Sequence, residues 1–186
     1  IHNMGHSICA YLGLYTGVEY IHDSINNPNI ELIVRLAMQE SMEALSKEYD
    51  VNCADISSHI DNLIYRFTNN ALMDTCKRVG KDTARKLSKT DRLIGAARFC
   101  IKNDITPTYT IIGIAAAVYQ HLEENKIEQT INNAIMVLEN ISELKPDEDL
   151  TFQIIKTYKM FNKSAALEQL KKAAVTMKMQ NKQNIV

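Results

Sequence analysis

The chain has 186 residues, 46% of them hydrophobic and 23% charged, a balance that suits a globular protein with a buried core and excludes disordered, collagen-like and coiled-coil classes. A formal net charge of -1 gives no global pull toward nucleic acid or anionic membrane, so a charged partner has to be recognised by a local patch. Cys9, Cys53, Cys76 and Cys100 lie far apart without a C-x-x-C pair, which excludes zinc-knuckle and thioredoxin-type motifs and leaves reduced, mostly buried thiols.

Three prolines and six glycines separate stretches whose apolar residues recur at helical spacing. The expected fold class is all-α, a multi-helix globular domain over residues 1–186. Asn27 followed by Pro28 marks a helix start, and Ile30, Ile33, Val34, Ala37, Met38, Ser41 and Leu45 share one stripe of a helix over 28–48. A second helix opens near Asn52, with Ile56, Ile60, Leu63, Ile64 and Phe67 on one face and Ser57, Asp61 and Asn62 on the other. Further helices are expected at 90–103, 109–123, 126–141, 148–160 and 164–179, with ends uncertain by roughly 2 to 4 residues. Neither βαβ alternation nor a G-x-G-x-x-G or G-x-x-x-x-G-K motif occurs, so no complete dinucleotide-binding sheet is expected within these residues. No apolar run approaches the ~20 residues of a membrane span and no signal-peptide pattern opens the chain, which makes the cytoplasm the expected compartment. The chain begins with Ile1 rather than Met, and is expected to be a piece of a longer protein.

Charge is segregated along the chain. Residues 77–92 carry seven basic residues against Asp82 and Asp91, whereas 121–149 carry eight acids against Lys126 and Lys145. Arginine forks and lysine ammoniums near the Gly80 bend suit a phosphate or carboxylate. Without interleaved aromatics for base stacking the same segment is a poor nucleic-acid site. At the other end of the chain, His2, Asn3 and His6 surround Gly5. His2 and His6 are four apart, but no third ligand with metal spacing follows, so no metal is expected. The competing, purely structural role has Asn3 capping a helix from Met4 to Tyr15 while the histidines satisfy backbone groups.

These two segments together resemble the carboxy-terminal domain of the polyol-specific long-chain dehydrogenases, most closely the members that interconvert mannitol 1-phosphate and fructose 6-phosphate. Asn3-Met4-Gly5-His6 with Ala10-Tyr11-Leu12-Gly13 is similar to that family's N-x-G-H-x-x-x-A-Y-L-G stretch. Arg66-Phe67, Asn69, Leu72, Asp74, Arg78-Val79-Gly80, Arg85-Lys86-Leu87-Ser88 and Asp91-Arg92-Leu93-Ile94 resemble its second signature, and Gly113-Ile114-Ala115-Ala116-Ala117 a third. The resemblance implies an all-helical substrate-binding domain that acts with an amino-terminal doubly wound (Rossmann) domain holding NAD. It also implies a K-x-x-x-x-N-x-x-H catalytic pattern, of which Asn3 and His6 supply the last two members. The general-base lysine would fall three residues before Ile1, so the chain alone is expected to be folded and inactive.

By the same resemblance Asn3 hydrogen-bonds the reacting oxygen and His6 positions substrate hydroxyls. Arg78 and Lys86 take the distal end of the substrate, and Arg85 beside them makes that end a phosphate. Asp91 and Arg92 are expected to form a structural ion pair. The substrate class implied is a sugar or polyol phosphate, with no metal, nucleic acid or membrane partner. The alternative is a helical protein-interaction module on the same fold, whose basic patch docks an acidic protein.

Overall fold

The computed structural model describes residues 1–162, 167–169 and 172, and these are helices and loops with no strand beyond a single antiparallel bridge, Tyr20 to Thr75. The elements are α1 (His2–Tyr15), α2 (Ile21–Ile25), α3 (Pro28–Tyr49), α4 (Cys53–Phe67), a 3-10 turn (Asn70–Leu72), α5 (Cys76–Gly80), α6 (Thr83–Lys86), α7 (Ile94–Lys102), α8 (Thr108–Glu124), α9 (Ile131–Asn140) and α10 (Asp149–Asn162).

Helix α3 starts as its sequence dictates: the Asn27 side chain accepts from the Asn29 amide at 3.0 Å and Pro28 occupies the first turn. Asn52 caps α4 in the same way. The stripe over 30–45 and the face over 56–67 are buried except for Leu45 and Ile56, which are half-buried. The expected 126–141 helix is shorter, because Lys126 adopts a left-handed conformation and α9 begins only after the Thr130 cap. Likewise α7 begins at Ile94, since residues 88–93 form turns. The helix expected over 164–179 lies outside the described residues apart from 167–169 and 172, which are helical.

Helix α8 is the centre of the domain. Every residue from Thr108 to Val118 is buried, the mark of a helix surrounded by others rather than lying on a surface. It packs on α1, α3 and α10, with α6, α7 and α9 filling its remaining sides. Gly113 has a packing reason: a side chain there would collide with Ile8 of α1, so glycine permits the close approach of the two central helices. The start of α8 is held by a buried acid of α3. Glu40, 1% exposed, accepts from the Tyr109 and Thr110 amides at 2.8 and 3.0 Å and from the Thr110 hydroxyl at 2.9 Å, satisfying donors that a helix start leaves open. At the opposite end, Tyr15 of α1 meets Tyr119 of α8 and Phe161 of α10 edge-on. Alongside α8, helix α1 is packed by α4 and α5, while α6 packs on α8. Among the described residues no helix is long and apolar enough to cross a membrane.

Candidate substrate-binding site

The site is organised by α1. Its first turn carries His2, Asn3 and His6, and farther along the same helix the Tyr11 hydroxyl donates to the Gly80 carbonyl at 3.1 Å, pinning the end of α5. Asn3 is a second-position helical residue, exposed and without a side-chain cap bond, because Ile1 occupies the capping position. The capping role for Asn3 is therefore wrong: the helix starts two residues earlier than Met4. Its carbonyl accepts from the Ser7 hydroxyl at 2.8 Å, as an interior helix residue does, and its amide side chain remains open to solvent one turn from His6.

His6 is the junction of two hollows. The smaller, about 190 Å³, is lined by residues including His2, His6, Arg66, Phe67, Asn69 and Asp74. Phe67, from the end of α4, stacks on His6 with ring centres 4.8 Å apart and on His2 at 5.8 Å. The larger, an open cleft of about 630 Å³, is lined by His6, Arg78, Val79, Lys81, Asp82, Arg85, Lys86 and Arg92. Residues some seventy positions apart in sequence thus border one continuous surface, and Arg78, Arg85 and Lys86 are brought together with His6. Asn3 does not line either hollow; it stands beside them on the exposed side of α1.

Burial pushes the His6 imidazole down to about 4, against the upward pull of Asp74 and with His2, Arg78 and Arg92 adding to the fall, so the ring is neutral near pH 7. The basic residues differ sharply in their surroundings. Arg78 is exposed and bound to Asp74, with Nε 2.6 Å from Oδ1. Arg85 is half exposed and lies between Asp82, at 2.5 Å, and Asp91, at 3.1 Å. Lys86 is buried at 5% exposure and its ammonium donates to the Lys81 carbonyl. No carboxylate pairs with it among the described residues, and burial first, then Arg85 and Arg92, hold its pKa below the usual lysine value. Asp91 and Arg92 form the expected ion pair at 2.8 Å, yet Arg92 also lines the cleft, a role its pairing concealed in the sequence.

A family model described as the mannitol dehydrogenase C-terminal domain matches residues 1–182. The chain belongs to the mannitol dehydrogenase C-terminal domain family. It is 36% identical over 165 residues to the mannitol-1-phosphate 5-dehydrogenase of Caldanaerobacter subterraneus subsp. tengcongensis, covering 84% of this chain and 42% of that relative. It is 35% identical over 163 residues to the enzyme of the same name from Thermoanaerobacter pseudethanolicus, with the same coverage. To that of Clostridium acetobutylicum it is 31% identical over 167 residues, or 87% of this chain and 44% of the relative. The chain therefore spans about two-fifths of the length of the curated relatives it matches.

In this domain the described residues contain no parallel sheet and no glycine-rich turn between strand and helix, so the doubly wound fold that cradles a dinucleotide is not among them. No group of three His, Cys, Asp or Glu side chains is placed to hold a metal among the described residues. The thiols of Cys9, Cys76 and Cys100 are buried and pushed up to about 12, chiefly by burial, which makes them packing groups rather than nucleophiles. Cys53 is exposed. Asp74 belongs to the segment that resembles the family's second signature, but its contact with both His6 and Arg78 arises only from tertiary structure.

Proposed function

We propose that the chain is the helical substrate-binding domain of an NAD-dependent polyol-phosphate dehydrogenase that interconverts mannitol 1-phosphate and fructose 6-phosphate in the cytoplasm. Its reading as a substrate site rests on one observation above others: the neutral His6 and the basic cleft of Arg78, Arg85, Lys86 and Arg92 share one surface. A hexitol phosphate has the matching chemistry, a row of hydroxyls ending in a dianion. The hydroxyls suit the small hollow, and the phosphate suits the cleft through charge-assisted hydrogen bonds.

NAD, when bound, supplies the hydride acceptor, and we assign it to an amino-terminal domain of the kind the relatives' extra length accommodates. Asn3, unencumbered on α1, donates its amide to the reacting oxygen, where negative charge builds as the hydroxyl becomes a carbonyl. His6 holds a neighbouring hydroxyl. Lys86, Arg78 and Arg85 fix the phosphate end and so set which carbon is presented. The proton of the alcohol is taken by a lysine that the family pattern places before Asn3, on a segment preceding Ile1.

The alternative of an acidic protein docking on the basic patch is weakened by the patch's own pairing. Arg78 and Arg85, its exposed arginines, are already engaged by Asp74, Asp82 and Asp91, while Lys86 is buried within the cleft. The test is to fuse the chain to the amino-terminal domain of the Thermoanaerobacter relative and follow NADH formation from mannitol 1-phosphate, beside the chain alone. Activity in the fusion and none in the folded chain is expected. NADH formation by the chain alone, or a preference of the fusion for unphosphorylated mannitol, would overturn the reading.

A further inference from the structure

The proposed mechanism gives Asp74 no part, although among the described residues it is the carboxylate lining the small hollow. Its backbone is fixed on both sides by the bridge to the loop between α1 and α2: the Asp74 carbonyl accepts from the Ile21 amide at 2.9 Å, and the Cys76 amide donates to the Glu19 carbonyl at 2.8 Å. Its side chain is 13% exposed, and its two oxygens face different halves of the site. Oδ1 binds the guanidinium of Arg78, and Oδ2 lies 3.6 Å from Nε2 of His6.

We propose that Asp74 is a positioning residue that makes one site of the two hollows, holding Arg78 at the cleft with one oxygen and fixing the proton of the His6 ring on Nε2 with the other. The proposal rests on the reading of Arg78 and His6 as substrate-binding groups.

A neutral imidazole carries its proton on one nitrogen, and the group facing either nitrogen selects which. At 3.6 Å the contact is longer than a hydrogen bond, but a lone pair aimed at a carboxylate is repelled where an N–H is attracted, so the proton settles on Nε2. The charged neighbours of His6 besides Asp74, namely Arg78, Arg92 and His2 when protonated, all oppose a second proton. Nδ1 is then left with a free lone pair, since no protein donor reaches it among the described residues. A hydroxyl can donate to that lone pair and a ketone cannot. The reacting carbon alternates between hydroxyl and ketone, so His6 reads a hydroxyl that persists through the reaction, at a fixed spacing from the phosphate held by Arg78. Asp74 sets that spacing because the same carboxylate orients both groups.

The decisive experiment records two-bond proton–nitrogen correlations on the chain labelled with ¹⁵N-histidine, at neutral pH, for the wild type, Asp74→Asn and Arg78→Ala. Wild-type His6 is expected to be protonated at Nε2. In Asp74→Asn the Nδ1-protonated form should gain population, and the dissociation constant for mannitol 1-phosphate should rise roughly 2- to 13-fold, the loss of one neutral hydrogen bond. Arg78→Ala should weaken phosphate binding while leaving the tautomer unchanged. Protonation at Nδ1 in the wild type, or an unaltered tautomer in folded Asp74→Asn, overturns the proposal, and the first of these needs no variant to fold. The tautomer is read without substrate, so a wild-type chain that fails to bind mannitol 1-phosphate counts against the function and not against the coupling of His6 to Asp74.

Discussion

Removing the ammonium of Lys86 should weaken phosphate binding far more than removing the guanidinium of Arg85, although Arg85 is the more accessible of the two. Lys86 is 5% exposed and its hydrogen-bond partner is the Lys81 carbonyl, with no carboxylate paired to it among the described residues. A bound phosphate gives this charge the partner it lacks. A hydrogen bond to a charged group contributes about 1.5 to 3 kcal/mol, so Lys86→Met should raise the dissociation constant roughly 10- to 160-fold. Arg85 already has Asp82 and Asp91, and a phosphate must compete with both at an exposed position. Such pairs are worth about 0 to 1 kcal/mol, so Arg85→Ala should cost roughly 5-fold or less.

The same geometry fixes a second, opposite effect for Lys86. Its pKa is lowered on folding by burial, so the charged form disfavours the folded state at every pH below the folded-state pKa, and the penalty is relieved as pH rises past that value. At neutral pH, replacement by methionine removes the penalty and fills the same volume, so the melting temperature of the ligand-free chain should hold or rise. Isothermal titration with mannitol 1-phosphate, at one ionic strength because exposed pairs are screened, together with thermal melts, reads both effects. An Arg85→Ala loss equal to or larger than that of Lys86→Met would refute the reasoning, as would a Lys86→Met chain that binds normally and melts lower.

Asn3→Ala, in the enzyme restored with its amino-terminal domain, should lower the turnover number on the order of 100-fold with a much smaller change in the Michaelis constant, because its bond to oxygen strengthens as charge develops; weaker binding with normal turnover would assign Asn3 to ground-state contact alone. Glu40→Ala should destabilise the fold by about 3 to 5 kcal/mol in urea titrations, since it removes a buried carboxylate and strands the Tyr109 and Thr110 amides at the start of α8, and a loss under about 1 kcal/mol would contradict that capping role. The His6 pKa falls from 6.5 to about 4 on folding. The unfolded chain therefore takes up a proton that the folded chain refuses between those values, and stability contributed by the neutral ring is intact above about pH 6.5 and lost on descent to about pH 4. Its size is about 3 kcal/mol, so His6→Gln should flatten the wild-type loss of stability between pH 7 and 4 by that order. Equal pH dependence in the two proteins would show that burial does not control His6.

The long helices were legible because each carries a complete signal. Asn27-Pro28 and Asn52 mark starts, and the stripes that follow run for several turns. The short helices α2, α5 and α6 were not, since four or five residues cannot display a period of 3.6, and they border the two hollows, α2 the small one and α5 and α6 the cleft. Glu40 looked like one more polar residue of α3; nothing local tells that α8 starts against it. The candidate site divides along the same line. His6 and the basic residues could be picked out by type and by resemblance, whereas their meeting depends on Tyr11 pinning Gly80 and on the bridge from Tyr20 to Thr75. Lys86 and Arg85 are adjacent in sequence and alike in charge. Tertiary structure separates them, burying one ammonium in the cleft with no carboxylate partner among the described residues and leaving one guanidinium between two aspartates.

The central claim, that hydroxyls and phosphate of one molecule occupy the two hollows that meet at His6, is tested most directly by titrating the ¹⁵N-labelled chain with mannitol 1-phosphate, mannitol and inorganic phosphate. Mannitol 1-phosphate should perturb residues of both hollows together, among them His6, Phe67, Asp74, Arg78 and Lys86, and bind more tightly than either half alone. Inorganic phosphate should be confined to the cleft. Perturbations by mannitol 1-phosphate that match those of inorganic phosphate in place and strength would contradict the claim, because the small hollow would then read nothing of the polyol.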